Sequence, residues 1–471
     1  MTRTILIVVL AAAPLIPNAA VAQKFTAGAA AIDVTPTNMP VRVAGSIRET
    51  WRNDITDKLH VRCLVLNDGR NSAVIATVDT CIMGREMLDS AKATASQATG
   101  IPTANMLISA THAHSAPAVR GAHGTEPHVD YREFLTAGIA KAIVTAHRNQ
   151  RPAEIGWGVG KCDEFVFCRR WLMKPGKAFT IPFTDAKTNL AQMNPGNGNV
   201  NKIRATGPAD PDVTVLMVRG RDGRPISMLA NYSTHYAGAP GVSADYFGVF
   251  ANEVMKRLGA ENQNPPFVGL INNGASGDAN CTDVTSKVRK KYDRFIVANA
   301  VVAAAINAVE QIKYHTWVPV HPAETEMALK IRKPTDAETR EAKAYLAEHV
   351  KDRPVQSWTE NYARETVLLS EWPDLFRFKV QAFRIGDFAF AATPCEMYGI
   401  TGLRIKKDSP FKTTMVVGLA NGYSGYLPPP DQFELGGYTT WRARSSMLEK
   451  QAEPKIRKEL QRLLKQTAAK N

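Results

Sequence analysis

The 471-residue sequence predicts a mixed α/β (α+β) fold organised as a single large domain. Three observations carry this. Strand-like runs of period two alternate with helix-like runs along the whole chain, against an all-helical or all-β architecture. Hydrophobic residues make up 44% of the chain and charged residues 22%, and the apolar ones arrive in periodic blocks able to bury a sizeable core. No internal repeat divides the chain, and the weak boundary near 315–333 does not separate two compositions.

Residues 1–22 read as a cleaved secretory signal, with one positive charge at Arg3, an apolar run from Ile5 to Leu15 and Ala20-Val21-Ala22 before Gln23. Pro14 and Pro17 cut that run short of the roughly 20 residues a spanning helix needs. The expected location is therefore secreted or periplasmic, with residues 23–471 as the working domain.

Residues 59–67 and 72–78 flank the turn Asp68-Gly69-Arg70 and read as paired strands. A helix follows over 85–98, then a short buried strand over 106–110 that delivers two histidines at its end. A helix over 131–148 precedes a strand over 152–160. Residues 174–210, rich in Pro, Gly, Asn and Thr, suit a long surface excursion near a site. The pair 213–219 and 226–232, around Asp222-Gly223, repeats the hairpin pattern and leads to His235. Further on come a helix over 247–258, a strand over 267–271 and an alanine-rich helix over 293–312. Charged stretches at 336–350 and 358–369 read as helices of lower burial, and strands at 376–384 and 388–392 lead into Glu396. The segment 449–465 carries Ile456, Leu460, Leu463 and Leu464 at helical spacing: a terminal helix packed on the body, or, alternatively, one lying on a lipid surface as a peripheral membrane contact.

The net charge of +14 and pI near 9.4 would suit an anionic partner. The basic residues are spread along the chain with mild clusters at 287–291 and after Lys450, so no nucleic acid is expected as partner; oligomeric state is unspecified. In an exported chain the six cysteines permit up to three disulfides. Cys162 and Cys168 are the pair best placed to close a small loop, and Cys63 and Cys395 read as plain buried thiols. No pair of Cys-x-x-Cys motifs suggests a zinc ribbon.

Two histidines spaced i, i+2 at a strand end, His112 and His114, project to one side and can converge on one point. Histidine is the commonest transition-metal ligand, and zinc accepts two or three beside a carboxylate. Alone, the pair also suits a structural role or the opening of an amidohydrolase-type barrel. His235 by itself reads as a core histidine, Tyr426 as a packing aromatic, Arg169 as a surface arginine and Asp278 as part of an Asx turn.

The segment Ser109-Ala110-Thr111-His112-Ala113-His114-Ser115-Ala116-Pro117 resembles the Ser-x-Thr-His-Thr-His-Ser-Gly-Pro signature of neutral, non-lysosomal ceramidases. Four more segments match in order: Gly28 to Pro36, Asn272 to Asn280, Pro394-Cys395-Glu396, and Gly418 to Tyr426 with its Gly-Leu-x-Asn-x-Tyr-x-x-Tyr pattern. The resemblance implies a neutral-ceramidase-like catalytic domain with zinc as cofactor, held by His112, His235, Glu396 and Tyr426. It implies His114 and Arg169 as catalytic contacts, with Asp278 in the aligned Gly-Asp and Arg170 and Tyr423 as substrate contacts.

Two departures qualify the resemblance. The family continues Gly-Asp-Val-Ser-Pro-Asn with a nucleophilic serine, whereas this chain has Asn280 there. Ser276 and Cys281 lie nearby, but the simplest expectation is attack by zinc-activated water, with Asn280 orienting the substrate. The family's C-terminal β-sandwich is also not expected in this sequence. The expected function is an exported zinc hydrolase of an amide or ester bond in a small-molecule or lipid substrate, in the manner of an N-acyl, ceramide-like sphingolipid. The alternative is a catalytically inactive lipid- or ligand-binding protein that keeps the pocket.

Overall fold

An eight-stranded mixed sheet organises this computed structural model, which describes residues 24–470. The segment read as a signal, residues 1–22, lies outside the described residues. Across the sheet the strands run Val268–Asn273, Pro225–Tyr232, Asp212–Gly220, Arg151–Lys161, Thr26–Asp33, His60–Asn67, Ser72–Val78 and Met106–Ala110. Both expected hairpins are antiparallel, and each is followed by a parallel crossover strand at an edge of the sheet. An amidohydrolase-type barrel, with eight parallel strand-helix units, is thereby ruled out.

Period-two alternation divides the strands between two cores. Val61, Cys63 and Val65 face one side of the sheet with Val213, Val215 and Met217, under the helices. Helices Arg85–Thr99 and Val129–Arg148 cover one half of that side, and Asp245–Arg257 and Arg294–Val309 the other. Close approach of the last helix requires the glycines at alternate positions of Arg151–Lys161. A Cβ on Gly160 would stand 2.2 Å from the Ala304 carbonyl oxygen, and one on Gly158 would stand 2.9 Å from that of Ala308.

Leu64, Leu66, Leu216 and Leu229 face the other way, against Phe383, Phe388 and Phe390 of a second sheet, Val320–Lys330, Leu375–Ile385, Phe388–Ala392 and Thr413–Val417. The far face of that sheet, with Val380, Ala389 and Ala391, packs on helix Ala452–Ala468. Ile456, Leu460, Leu463 and Leu464 are spent in that contact, so the packed-helix reading holds and this apolar face is closed to lipid.

Three expectations change. All six cysteines are buried free thiols, including Cys162 and Cys168. The 174–210 excursion contains order of its own, since Ala191–Met193 and Lys202–Ala205 flank Arg170–Met173 in a small sheet. Helix Trp358–Glu371 is not of lower burial: Asn361, Tyr362, Glu365 and Thr366 are fully buried, and Glu365 is paired with Arg444 at 2.7 Å. Its charges face inward because they have partners there, which a charge count along the sequence does not show.

Candidate metal centre

Strand Met106–Ala110 sits at one edge of the large sheet, while His235 follows the strand next to the other edge. The segment 418–421 joins these distant places. Gly418 N donates to Asn273 O at 3.0 Å, Ala110 N to Leu419 O at 3.1 Å and Asn421 N to Ile108 O at 2.8 Å. The strand ends are thereby drawn to one spot.

The two motif histidines converge through a turn and not through strand alternation. The strand ends at Ala110, His112 takes a left-handed φ of 74°, and its N–H donates to Thr80 O at 3.0 Å. The His112 ring meets those of His114 and His235 edge-on, at 4.6 and 4.5 Å, so their Nε2 atoms lie 3.2 and 3.1 Å from its own. Glu396 and Tyr426 enter side by side as cross-strand partners of a short parallel pair. Glu396 Oε2 is 3.4 Å from His112 Nε2 and 3.7 Å from His235 Nε2.

Hydrogen bonds settle the tautomers of both histidines. His112 Nδ1 donates to Cys81 O at 2.9 Å and His235 Nδ1 to Ser276 O at 3.0 Å, so each neutral ring turns its Nε2 lone pair toward the other. Glu396 Oε1 accepts from Tyr423 Oη at 3.0 Å, but Oε2 is buried with no hydrogen-bond partner among the described residues. Two facing lone pairs and a bare carboxylate oxygen repel unless a proton or a cation lies between them.

The edges fit a metal ion. A tetrahedral zinc site with bonds of about 2.0–2.1 Å has ligand–ligand edges of about 3.3–3.4 Å. Cys81 also forms a trio with His112 and His114, but it approaches His112 Nδ1, which is already engaged with a carbonyl. The better donor set is His112, His235 and Glu396, whose ligand atoms lie within 4.8 Å of one another.

Electrostatics agree with that set. Burial and then the Arg169 charge hold His235 well below the usual histidine range, and burial and then His112 do the same for His114. Burial also opposes charge on His112, but the neighbouring Cys81 and Glu396 hold it well above that range.

Among the other expected residues, Arg169 and Tyr426 reach the site. Arg169 Nη2 lies 3.1 Å from His235 Nε2, 2.9 Å from Gly277 O and 3.4 Å from Tyr426 Oη. With His114 they line a cavity of about 520 Å³. Tyr423 lies behind the site and touches it through Glu396. Arg170 turns away: it donates to Gln432 Oε1 at 3.2 Å and to Gly436 O at 2.5 Å, clamping the 432–436 segment. The Asp278 carboxylate accepts from Gly399 N at 2.8 Å, while its carbonyl accepts from Arg169 N at 2.8 Å, so it positions Arg169 without lining the cavity. Burial pushes its pKa up to about 6.

The Asn280 amide donates to Asn194 at 2.7 Å and accepts from Thr282 N at 2.9 Å, and only its partner Asn194 lines the cavity. Neither substitute nucleophile is placed to act. Ser276 is buried against Asn273, and burial pushes the Cys281 thiol up to about 12.

Sequence reasoning missed His123, Tyr236 and Tyr438, and the aromatic mouth formed by Phe179, Trp358 and Trp441. His114 stacks on Tyr236 at 3.9 Å. His123, in Gly121-Ala122-His123-Gly124 nine residues after His114, was the one available signal. A larger groove of about 1000 Å³ between helices Arg85–Thr99 and Val129–Arg148 contains none of the expected site residues.

No family model and no curated protein matches this chain. Solved structures do. A ceramidase complexed with C2 superposes with a TM-score of 0.68 at 13% identity, covering 95% of this chain and 76% of that one. The neutral ceramidase from Pseudomonas aeruginosa superposes with a TM-score of 0.66 at 14% identity, covering 93% and 73%. The chain thus has a ceramidase-like fold in a strongly diverged sequence.

Proposed function

We propose that this protein is an exported zinc-dependent hydrolase of amide or ester bonds in N-acyl, ceramide-like lipid substrates. The observation that carries the reading is the convergence of two buried imidazole lone pairs on the unpartnered Glu396 Oε2. The ceramidase-like fold supports the substrate class. His112, His235 and Glu396 would hold the metal, with Tyr426 as the fourth ligand. A zinc ion there supplies Lewis-acid polarisation of a carbonyl and lowers the pKa of bound water.

The chain's own groups account for the proton and the charge. His114 lies with Nδ1 against Gly45 and turns Nε2 to within 3.2 Å of His112 Nε2, where it would take a proton from an attacking water and return it to the leaving group. Arg169 places a buried positive charge beside the same point, where it stabilises a developing oxyanion. With Asn280 in the serine position and Ser276 and Cys281 engaged elsewhere, water is the nucleophile the site favours. Asn280 is also what favours the competing reading, an inactive lipid- or ligand-binding protein.

Metal analysis and turnover of N-acyl amides and esters test this together. The purified chain should carry about one zinc, lost in His235→Ala and in Glu396→Ala alike, and turnover should disappear with it. Zinc binding without hydrolysis of any acyl substrate would leave the binding-protein reading standing instead.

A further inference from the structure

Behind Tyr426 runs a chain of polar groups that the proposed chemistry does not use. Tyr438 packs edge-on against Tyr426, with ring centroids 5.6 Å apart. Tyr438 Oη is in turn 3.1 Å from His123 Nε2, and Asn361 Nδ2 donates to His123 Nδ1 at 3.1 Å. That last bond fixes the sense of the one before it. With Nδ1 accepting, the neutral ring carries its proton on Nε2 and donates to Tyr438 Oη, which holds the Tyr438 ring in place against Tyr426.

We infer that His123 is a positioning residue, which acts through Tyr438 to hold Tyr426 as an oxygen donor toward the metal. The inference rests on the reading of Tyr426 as a ligand. Tyr426 Oη accepts from Arg169 Nη2 at 3.4 Å, which leaves a lone pair for the ion while the Tyr438 ring keeps the phenol in place.

The surroundings are built to hold His123 in place. It is buried at 7% exposure and takes a left-handed φ of 51°, a conformation that a histidine keeps only where neighbours impose it. One face of helix Trp358–Glu371 imposes it. Trp358 packs edge-on against Tyr438 at 5.4 Å, Asn361 grips the imidazole, and Arg364 Nη1 donates to the His123 carbonyl at 3.2 Å. These three residues recur at every third position, so they share that face. This gives the inward-facing helix a task, the support of a ligand from behind.

Zinc affinity by chelator competition and the ultraviolet difference band of a zinc-bound phenolate test the inference with zinc alone as probe. His123→Ala should weaken zinc binding roughly 10- to 100-fold and diminish the band, the usual cost of losing an outer partner of a metal ligand. His123→Gln, whose amide nitrogen reaches the Nε2 position, should restore most of both, whereas His123→Asn, too short to reach Tyr438, should not. If Gln is no better than Ala and Asn, or if Ala leaves affinity and band unchanged, the inference is wrong. A wild-type protein that binds zinc without any phenolate band would remove the ligand role of Tyr426 itself, a separate failure. Should His123→Ala not fold, Tyr438→Phe carries the test, because it removes the hydroxyl and keeps the ring; unchanged affinity and band in that variant would refute the inference equally.

Discussion

Gly45→Ala separates the two roles open to His114, metal ligand and catalytic contact. Gly45 takes a φ of +93°, and a Cβ there would stand 2.0 Å from His114 Nδ1 and 2.6 Å from Cε1. Ordinary contact begins at 3.4 Å, so the ring or the segment must shift by about 1.4 Å. The unfavourable φ adds about 1–2 kcal/mol of strain, small enough for an exposed rim residue that the fold survives. A displacement on the 1 Å scale at a catalytic group lowers the rate by about 10²-fold, equivalent to about 2.7 kcal/mol of activation free energy. The expected variant keeps its zinc and loses about two orders of magnitude in kcat/KM on its best acyl substrate. Metal stoichiometry and steady-state kinetics on the same preparation provide the assay. Wild-type kcat/KM would show that His114 is not a catalytic contact, and loss of zinc would show that it is a ligand.

Arg444→Met removes the ion pair and the guanidinium hydrogen bonds to Glu365, whose side chain is 0% exposed, and keeps only the backbone N–H that donates to it. A stranded buried carboxylate costs roughly 3–5 kcal/mol, read as a fall in urea midpoint at constant m; a change under 1 kcal/mol would contradict the pairing. Asp278 has a folded pKa of about 6, raised by burial above the unfolded value of about 3.9. Its contribution is therefore full below pH ~4 and lost as pH rises through ~6, amounting to about 3 kcal/mol. Asp278→Asn should flatten the stability profile between those pH values, and an unchanged slope would count against the burial. Zinc at a thousand times its dissociation constant should stabilise the fold by about 4 kcal/mol, seen as a rise in melting temperature. His112→Ala should show no such rise.

The secondary structure was legible because burial on one face leaves a local record. Alternation in 59–67, 72–78, 213–219 and 226–232 foretold strands that do divide their side chains between two cores. Helix Trp358–Glu371 was misjudged because its inward charges have partners, such as Arg444, distant in sequence. The site was legible only in part. His112 could be flagged from its spacing to His114, and His235, Glu396 and Tyr426 entered through short motifs that resemble a known family. Nothing local marked Asn361 or Tyr438, and nothing local showed that Arg170 points into a clamp or that Asp278 supports Arg169 through its carbonyl.

By itself, the sequence determined the order and type of most elements and the identity of the ligand candidates, because periodicity and motif residues are properties of neighbours along the chain. Only the tertiary structure decided that these candidates meet. His112 and His235 stand 123 residues apart, and their Nε2 atoms come within 3.1 Å because segment 418–421 draws together strands from opposite ends of one sheet. Which lone pair faces the site is likewise decided by carbonyls at Cys81 and Ser276, which no spacing rule in the sequence connects to the histidines. Convergence of this kind depends on hydrogen bonds between distant segments, and those interactions leave no periodic trace in the chain.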